Sequence, residues 1–279
     1  PNYTVAYFNL GNVNNLLSLI EEAEVSYSYA FETDCTYAFI FGVLLQTRMK
    51  LCDWRDYEQS INELFSQIMN GQKATTCFPV LGLTDSLQLQ HQTALTYTAN
   101  MFPPDDSLGD IPKKNRSGRI KLGYYSADLH NHATAYLMAE LFELHDKNKF
   151  ELFAFSFGPD TQDEMRARLL LAFDHFIDVR QQSDQSVAQL SRELGIDIAI
   201  DLKGYTTGAR PRIFSYRAAP IQVSYLGYPG TLGASYMDYL IADHTLIPPE
   251  SQAYYSEKIA YLPNSYQVND RARTISSRR

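Results

Sequence analysis

Three short segments carry residue types suited to chemistry on a polar ligand. The first holds Asp128, His130, Asn131, His132 and Thr134 within seven residues. It follows a run of strand character and opens a run of helix character, so N–H groups of a first helical turn would face an anion there. Asp128 and His132 are proton acceptors, and Asn131 is an amide able to orient a ligand. The same residues have a plainer use, since Asp128, Asn131 or Thr134 can cap the helix. Asp128, His130 and His132 also alternate, and His-x-His after a first strand is a metal-ligand pattern. A metal-dependent hydrolase built on the His130/His132 pair needs further ligands, and Asp201, Asp243 and His244 are the candidates.

The second segment runs from Lys203 to Arg210 and contains Gly204, Tyr205, Thr206, Thr207 and Gly208. Two glycines permit a tight turn and close approach of a ligand. The hydroxyls and Arg210 can hold a phosphate or a peptide carbonyl, or Arg210 can sit in a structural pair. The third segment, Leu226 to Gly233, spaces Gly227, Gly230 and Gly233 three apart around Pro229. It brings bare backbone to a strand end. It is neither Gly-x-Gly-x-x-Gly nor a phosphate-binding P-loop.

These segments need elements to hold them. Short apolar runs at 119–127, 150–157, 175–179, 196–202, 221–226 and 236–242 predict strands, and 134–145, 163–173 and 186–194 predict helices between several of them. Strand and helix in alternation, with apolar strands, predict an α/β domain with a parallel sheet covered on both faces. Ligands of such sheets bind beyond the carboxyl ends of the strands, where all three segments lie.

Residues 1–102 read as helical. Asn9, Leu10, Gly11, Ala23, Tyr27 and Ala30 have the spacing of one tetratricopeptide-like repeat at about 4–37, in which small residues let two antiparallel helices approach. An ordinary helical hairpin fits the same spacing. Further helices are expected at 37–49, 54–69 (capped by Asp53 and stopped by Gly71) and 84–101. The stretch 103–118, with Pro103, Pro104, Lys113, Lys114 and Arg116, reads as a linker. Residues 119–279 form the α/β domain.

Composition narrows the function classes. With 24 Lys and Arg against 32 Asp and Glu, the net charge is −8, which argues against a protein devoted to nucleic-acid backbones. The longest apolar run, 37–45, is too short to span a membrane, and no charged stretch precedes an apolar one as in a signal peptide. Three cysteines make no disulfide framework, so a reducing, cytoplasmic setting is expected.

Five stretches carry a resemblance to a known family: KLCDWRDY (50–57), RIKLGYYSADLHNHATAYLM (119–138), FELFAFSFGPD (150–160), IDIAIDLKGYTTGARPRIFSYRAAPIQVSYLGYPGTLGASYMDYLIAD (196–243) and YSEKIAYLPNSYQVNDR (255–271). With the repeat-like start, the chain resembles the tetratricopeptide-carrying protein O-GlcNAc transferases, bacterial members especially, and their SPINDLY-type relatives. The resemblance implies a Rossmann-like N-terminal lobe of a two-lobed GT-B glycosyltransferase over 119–279, preceded by a helical region. It implies inverting transfer of N-acetylglucosamine from UDP-GlcNAc to Ser or Thr hydroxyls of protein or peptide acceptors. It implies no cofactor and no metal, and protein partners recruited through the repeats. SPINDLY-type members use GDP-fucose instead. A non-catalytic interaction module is the competing class.

Carried over motif by motif, Asp128 and His132 match the positions discussed for the acceptor proton, and Asn131 matches an amide that steadies the acceptor backbone. Thr134 lies in the same motif. Arg210, Leu226, Gly227 and Pro229 match positions lining the donor–acceptor cleft, and Tyr205 sits in the matching Gly-Tyr-Thr turn. Animal members have Pro, His and Lys where this chain has Ala133, Tyr136 and Thr207, and bacterial members share several of these changes. The family's second lobe, which grips the nucleotide diphosphate, is not among these residues. A fragment inactive on its own is therefore expected, and His132→Ala or Asp128→Asn is expected to lower turnover in the longer protein with little loss of folding.

Overall fold

The structure is a computed structural model and describes residues 3–112 and 118–273. Lys113, Lys114 and Arg116 of the expected linker lie outside the described residues. The chain separates into two compact units, Pro1–Met101 and Phe102–Arg279.

The first unit is helical. Helices α1 (Thr4–Leu16) and α2 (Ile20–Thr33) form a hairpin. Gly11 makes it possible, because a Cβ there would lie 2.5 Å from the Tyr27 ring. Ala23, Tyr27 and Ala30 are buried with Ile40 and Leu44 of α3 (Ile40–Lys50). Helices α4 (Tyr57–Met69), α5 (Cys77–Leu83) and α6 (Leu87–Met101) close a second core around Leu45, Leu64, Ile68 and Val80. Asp53 does not cap α4. Its carboxylate instead takes the backbone N–H and guanidinium of Arg55, and the cap position falls to Asp56. Gly71 does follow the helix end, at φ +69°. The sequence reading missed α5, which carries Pro79 in its first turn, where no helical hydrogen bond is lost.

The second unit is a seven-stranded sheet in which every strand pairing is parallel. In chain order it runs β1 (Ile120–Ser126), α7 (Ala133–Leu144), β2 (Phe150–Ser156), α8 (Glu164–Ala172), β3 (His175–Asp178), α9 (Asp184–Leu194), β4 (Ile198–Asp201), α10 (Arg212–Ser215), β5 (Ile221–Ser224), β6 (Tyr239–Ala242), a 3-10 turn (Pro249–Tyr254) and β7 (Lys258–Tyr261). The six predicted strands are present. The seventh, β7, was missed because it is four residues long, lies at an edge and shows no alternation.

Both faces of the sheet are covered, which is why its strands read as apolar runs. Tyr124 packs on Phe142 of α7 and on Phe173. On the opposite face Tyr125 stacks flat on Phe155 at 4.4 Å and meets Phe214. The described part of the expected linker lies against this unit. Asp105 N–H donates to Ser215 O, and the Arg192 guanidinium donates to the carbonyls of Leu108 and Gly109.

Strand order is β3-β2-β1-β4-β5-β6-β7. The chain winds one way from β1 and the other way from β4, so a crevice opens between their carboxyl ends. Close backbone contacts draw the surrounding turns inward. A Cβ on Gly158, after β2, would lie 1.7 Å from Ala127 O. Asp201 ends β4 and accepts the N–H groups of Lys203 (2.9 Å) and Gly204 (3.0 Å). Burial pushes its carboxyl up to about 6 against the pull of those two hydrogen bonds and of the Lys203 charge.

Gly158→Ala is expected to lower the melting temperature of the α/β unit by roughly 6–12 °C, the effect of about 3 kcal/mol of overpacking on a unit of this size. Gly82→Ala, in α5 of the helical unit with nothing within 4 Å of the new methyl, is the control and should leave the melting of the α/β unit unchanged. Asp201 gives a second prediction. Its proton is held more tightly in the folded chain than in the unfolded one, so its stabilisation is present below about pH 4 and is lost as pH rises through about 6. Between pH 4 and pH 7, urea unfolding should therefore show the stability difference between Asp201→Asn and the parent moving by about 3 kcal/mol in the variant's favour.

Candidate functional site

The crevice between β1 and β4 is closed at its base by one ion pair. Lys203 Nζ donates to Asp128 Oδ2 at 2.6 Å, and the two side chains are 6% and 9% exposed. Strand register sets this meeting. Tyr125 pairs with Asp201, so the turns two or three residues further on face each other. Gly227 presses on the same spot, since a Cβ there would lie 2.0 Å from Leu202 O and 3.1 Å from Lys203 Cα. The residue before it, Leu226, accommodates the turn at φ +67°. Burying the ammonium and carboxylate together avoids leaving either charge unpaired.

His132 stands at the mouth of this pair, 42% exposed, with Nδ1 3.6 Å from Asp128 Oδ2. It is the N-cap of α7, and Nδ1 accepts the N–H of Thr134 at 3.2 Å. A neutral ring in that arrangement carries its proton on Nε2. Any proton the ring takes up must land on Nδ1 and displace the cap. The sequence reading had offered Asp128, Asn131 or Thr134 as the cap; the side chain that caps is His132.

Asn131 bridges to the next helix. Its N–H donates to Asp163 Oδ1 (3.0 Å), and its own Oδ1 accepts the N–H of Met165 (3.3 Å). What it still offers a ligand is its Nδ2 amide. Asp163 caps α8, and hydrogen bonds from Thr161, Arg166 and Asn131 outweigh the opposing effect of burial to hold its carboxyl low. A cavity of about 340 Å³ opens beside it, lined by Asp160, Thr161, Arg166, Phe176 and Asp178 among others.

The other predicted site residues divide. Gly227 and Leu226 border the ion pair as described, and Pro229 is exposed on the same turn. Glu257, buried just before β7, accepts the Thr231 hydroxyl and the Leu232 N–H, both at 2.7 Å, and so pins that turn. Burial raises its carboxyl despite these bonds. Tyr205 donates to Leu232 O at 2.7 Å and stacks on Phe102, which ties the second turn to the third. Arg210 points elsewhere. Its guanidinium donates to Asp184 Oδ1 (2.6 Å), Val179 O (3.0 Å) and Gln182 O (2.6 Å). The structural pairing wins at that position, and the group staples the turn after β3.

The ligands that a His130/His132 metal site needs do not gather. The two rings are 5.9 Å apart. Asp201 is bonded to backbone N–H groups, Asp243 accepts those of Thr245, Leu246 and Tyr266, and His244 stacks on Tyr261. Among the described residues no three His, Cys, Asp or Glu side chains are placed to hold a metal ion. The sequence reading gave Lys203 no role. The sequence shows only a lysine two residues past the end of β4; the register that brings it to the Asp128 turn is a property of the sheet.

Residues 51–277 match the model of glycosyl transferase family 41. A probable UDP-N-acetylglucosamine–peptide N-acetylglucosaminyltransferase, SEC, of Arabidopsis thaliana is 34% identical over 242 residues, 81% of this chain and 25% of that protein. A UDP-N-acetylglucosamine–peptide N-acetylglucosaminyltransferase of Caenorhabditis elegans is 32% identical over 241 residues, 81% of this chain and 21% of that protein. Among solved structures, a Thermobaculum terrenum O-GlcNAc transferase mutant superposes with a TM-score of 0.67 at 25% identity, over 96% of this chain and 52% of the other. The chain thus matches about a quarter of the length of these curated relatives and about half of the solved one. The parallel α/β sheet accords with the superposition on the solved structure, and the chain belongs to glycosyl transferase family 41.

Proposed function

We propose that these residues form one wall of a protein O-linked glycosyltransferase, which moves N-acetylglucosamine from UDP-GlcNAc to Ser or Thr hydroxyls of proteins or peptides with inversion. The observation that carries this is the convergence of Asp128, His132, Lys203 and Gly227 at the switch point of a family 41 lobe. A diphosphate leaving group and a hydroxyl nucleophile need hydrogen-bond donors and a proton acceptor fixed in a water-poor crevice. His132 Nε2–H and Asn131 Nδ2 are donors this wall can supply. In this proposal the helical residues 1–102 recruit protein partners, no metal or cofactor takes part, and the setting is a reducing cytoplasm in keeping with three unpaired cysteines. No helix among the described residues is long and apolar enough to cross a membrane.

The test is transfer from radiolabelled UDP-GlcNAc to a Ser/Thr peptide. A chain joining these residues to the second lobe that the resemblance implies should turn over, and the 279 residues alone should show negligible turnover. In the joined chain His132→Ala should lower kcat by roughly 100-fold, the scale of a lost proton-transfer or hydrogen-bonding group, and lower the melting temperature by roughly 2–4 °C, because about 1 kcal/mol of helix capping at α7 is lost with the side chain. Asp128→Asn should lower kcat and also destabilise by about 3–5 kcal/mol, because it strands the buried ammonium of Lys203. That cost replaces the expectation from sequence that Asp128→Asn folds as well as the parent. Full activity in both variants would remove the crevice from the mechanism.

A further inference from the structure

We propose that Lys203 is a positioning residue which, by occupying Asp128 Oδ2, keeps His132 in its Nε2–H tautomer. Two cationic or donor-capable groups compete for that oxygen. The Lys203 ammonium lies 2.6 Å away and the His132 Nδ1 3.6 Å away. The ammonium is within hydrogen-bonding distance and the imidazole is not. With the carboxylate satisfied, Nδ1 is left to accept the Thr134 N–H and close the first turn of α7.

Lys203 cannot easily drift from this post. Its N–H is held by Asp201 Oδ1 at 2.9 Å, its carbonyl accepts the Thr206 hydroxyl at 2.9 Å, and Gly227 crowds its Cα. Removing the ammonium leaves a buried carboxylate with no cation beside it. The His132 ring, with Nδ1 3.6 Å from Oδ2, is placed to bring it a proton. A proton on Nδ1 would donate to Oδ2, vacate Nε2 and release the Thr134 N–H. The two tautomers have opposite chemistry. Nε2–H donates to an oxygen of a substrate, whereas a bare Nε2 removes a proton.

The consequence for catalysis rests on the proposed transfer reaction. As built, this wall presents His132 as a hydrogen-bond donor to an acceptor or phosphate oxygen. The base that takes the hydroxyl proton is then another group. The tautomer itself does not depend on that reaction and can be read in the chain alone.

Long-range 1H–15N correlation spectra of the 15N-labelled 279-residue chain at pH 8.5 distinguish the tautomers, and His132→Gln assigns the ring. The parent is expected to show Nε2–H. Lys203→Met should move most of the His132 population to Nδ1–H, and Lys203→Arg should restore the parent pattern. Lys203→Leu, which also brings no donor to Oδ2, covers the case in which Lys203→Met does not fold, with the same shift expected. A parent ring carrying Nδ1–H, or neutral variants with the parent pattern, would overturn the proposal. In the joined chain Lys203→Met should also lower kcat by tenfold or more with the donor KM changed less than twofold. No sugar transfer by the parent would defeat the transferase reading and leave the spectroscopic result standing.

Discussion

A buried ammonium and a buried carboxylate must find each other or cost several kcal/mol apiece, and the Lys203–Asp128 pair meets that demand at the one place where the sheet leaves room. The strand order reverses between β1 and β4, so no connection crosses the gap between their carboxyl ends. With the pair in place, Asp128 is fixed in direction, and the position of His132 relative to Asp128 follows from the start of α7.

The rest of the site is arranged by groups that never need to touch a ligand. Asp201 folds the second turn by accepting two N–H groups, and Glu257 does the same for the third by taking a hydroxyl and an N–H. Both carboxyls are buried and pushed upward by desolvation. They are anchors, and their altered titration reports packing as much as function. Gly158 and Gly227 complete the arrangement, because any side chain there would collide with the backbone of the neighbouring turn.

Several residues with chemical promise prove to be masonry. Arg210 has the charge for a phosphate, yet three of its donors are spent on the turn after β3. Asn131 spends its carbonyl oxygen on α8 and keeps only an amide. His132 spends a lone pair on α7. Such double use is economical in a small lobe, since one polar side chain can both end a helix and face a crevice. It also means that substitutions here change stability and chemistry together.

The sequence by itself determined most of the succession of strands and helices, their parallel arrangement, the glycine-bearing turns after β4 and β5 and the family. These are local properties: alternation, apolar runs, glycine spacing and motif identity are all written within a few residues. Only the tertiary structure decided the partnership of Lys203 with Asp128, the diversion of Arg210 to Asp184, the capping role of His132 and the existence of β7. The first two join residues 75 and 26 positions apart. The third depends on which nitrogen finds an orphan N–H, and β7 is a strand because β6 pairs with it. A side chain's direction is set by which neighbour arrives within hydrogen-bonding distance, and that neighbour is known only once the sheet has brought distant turns together.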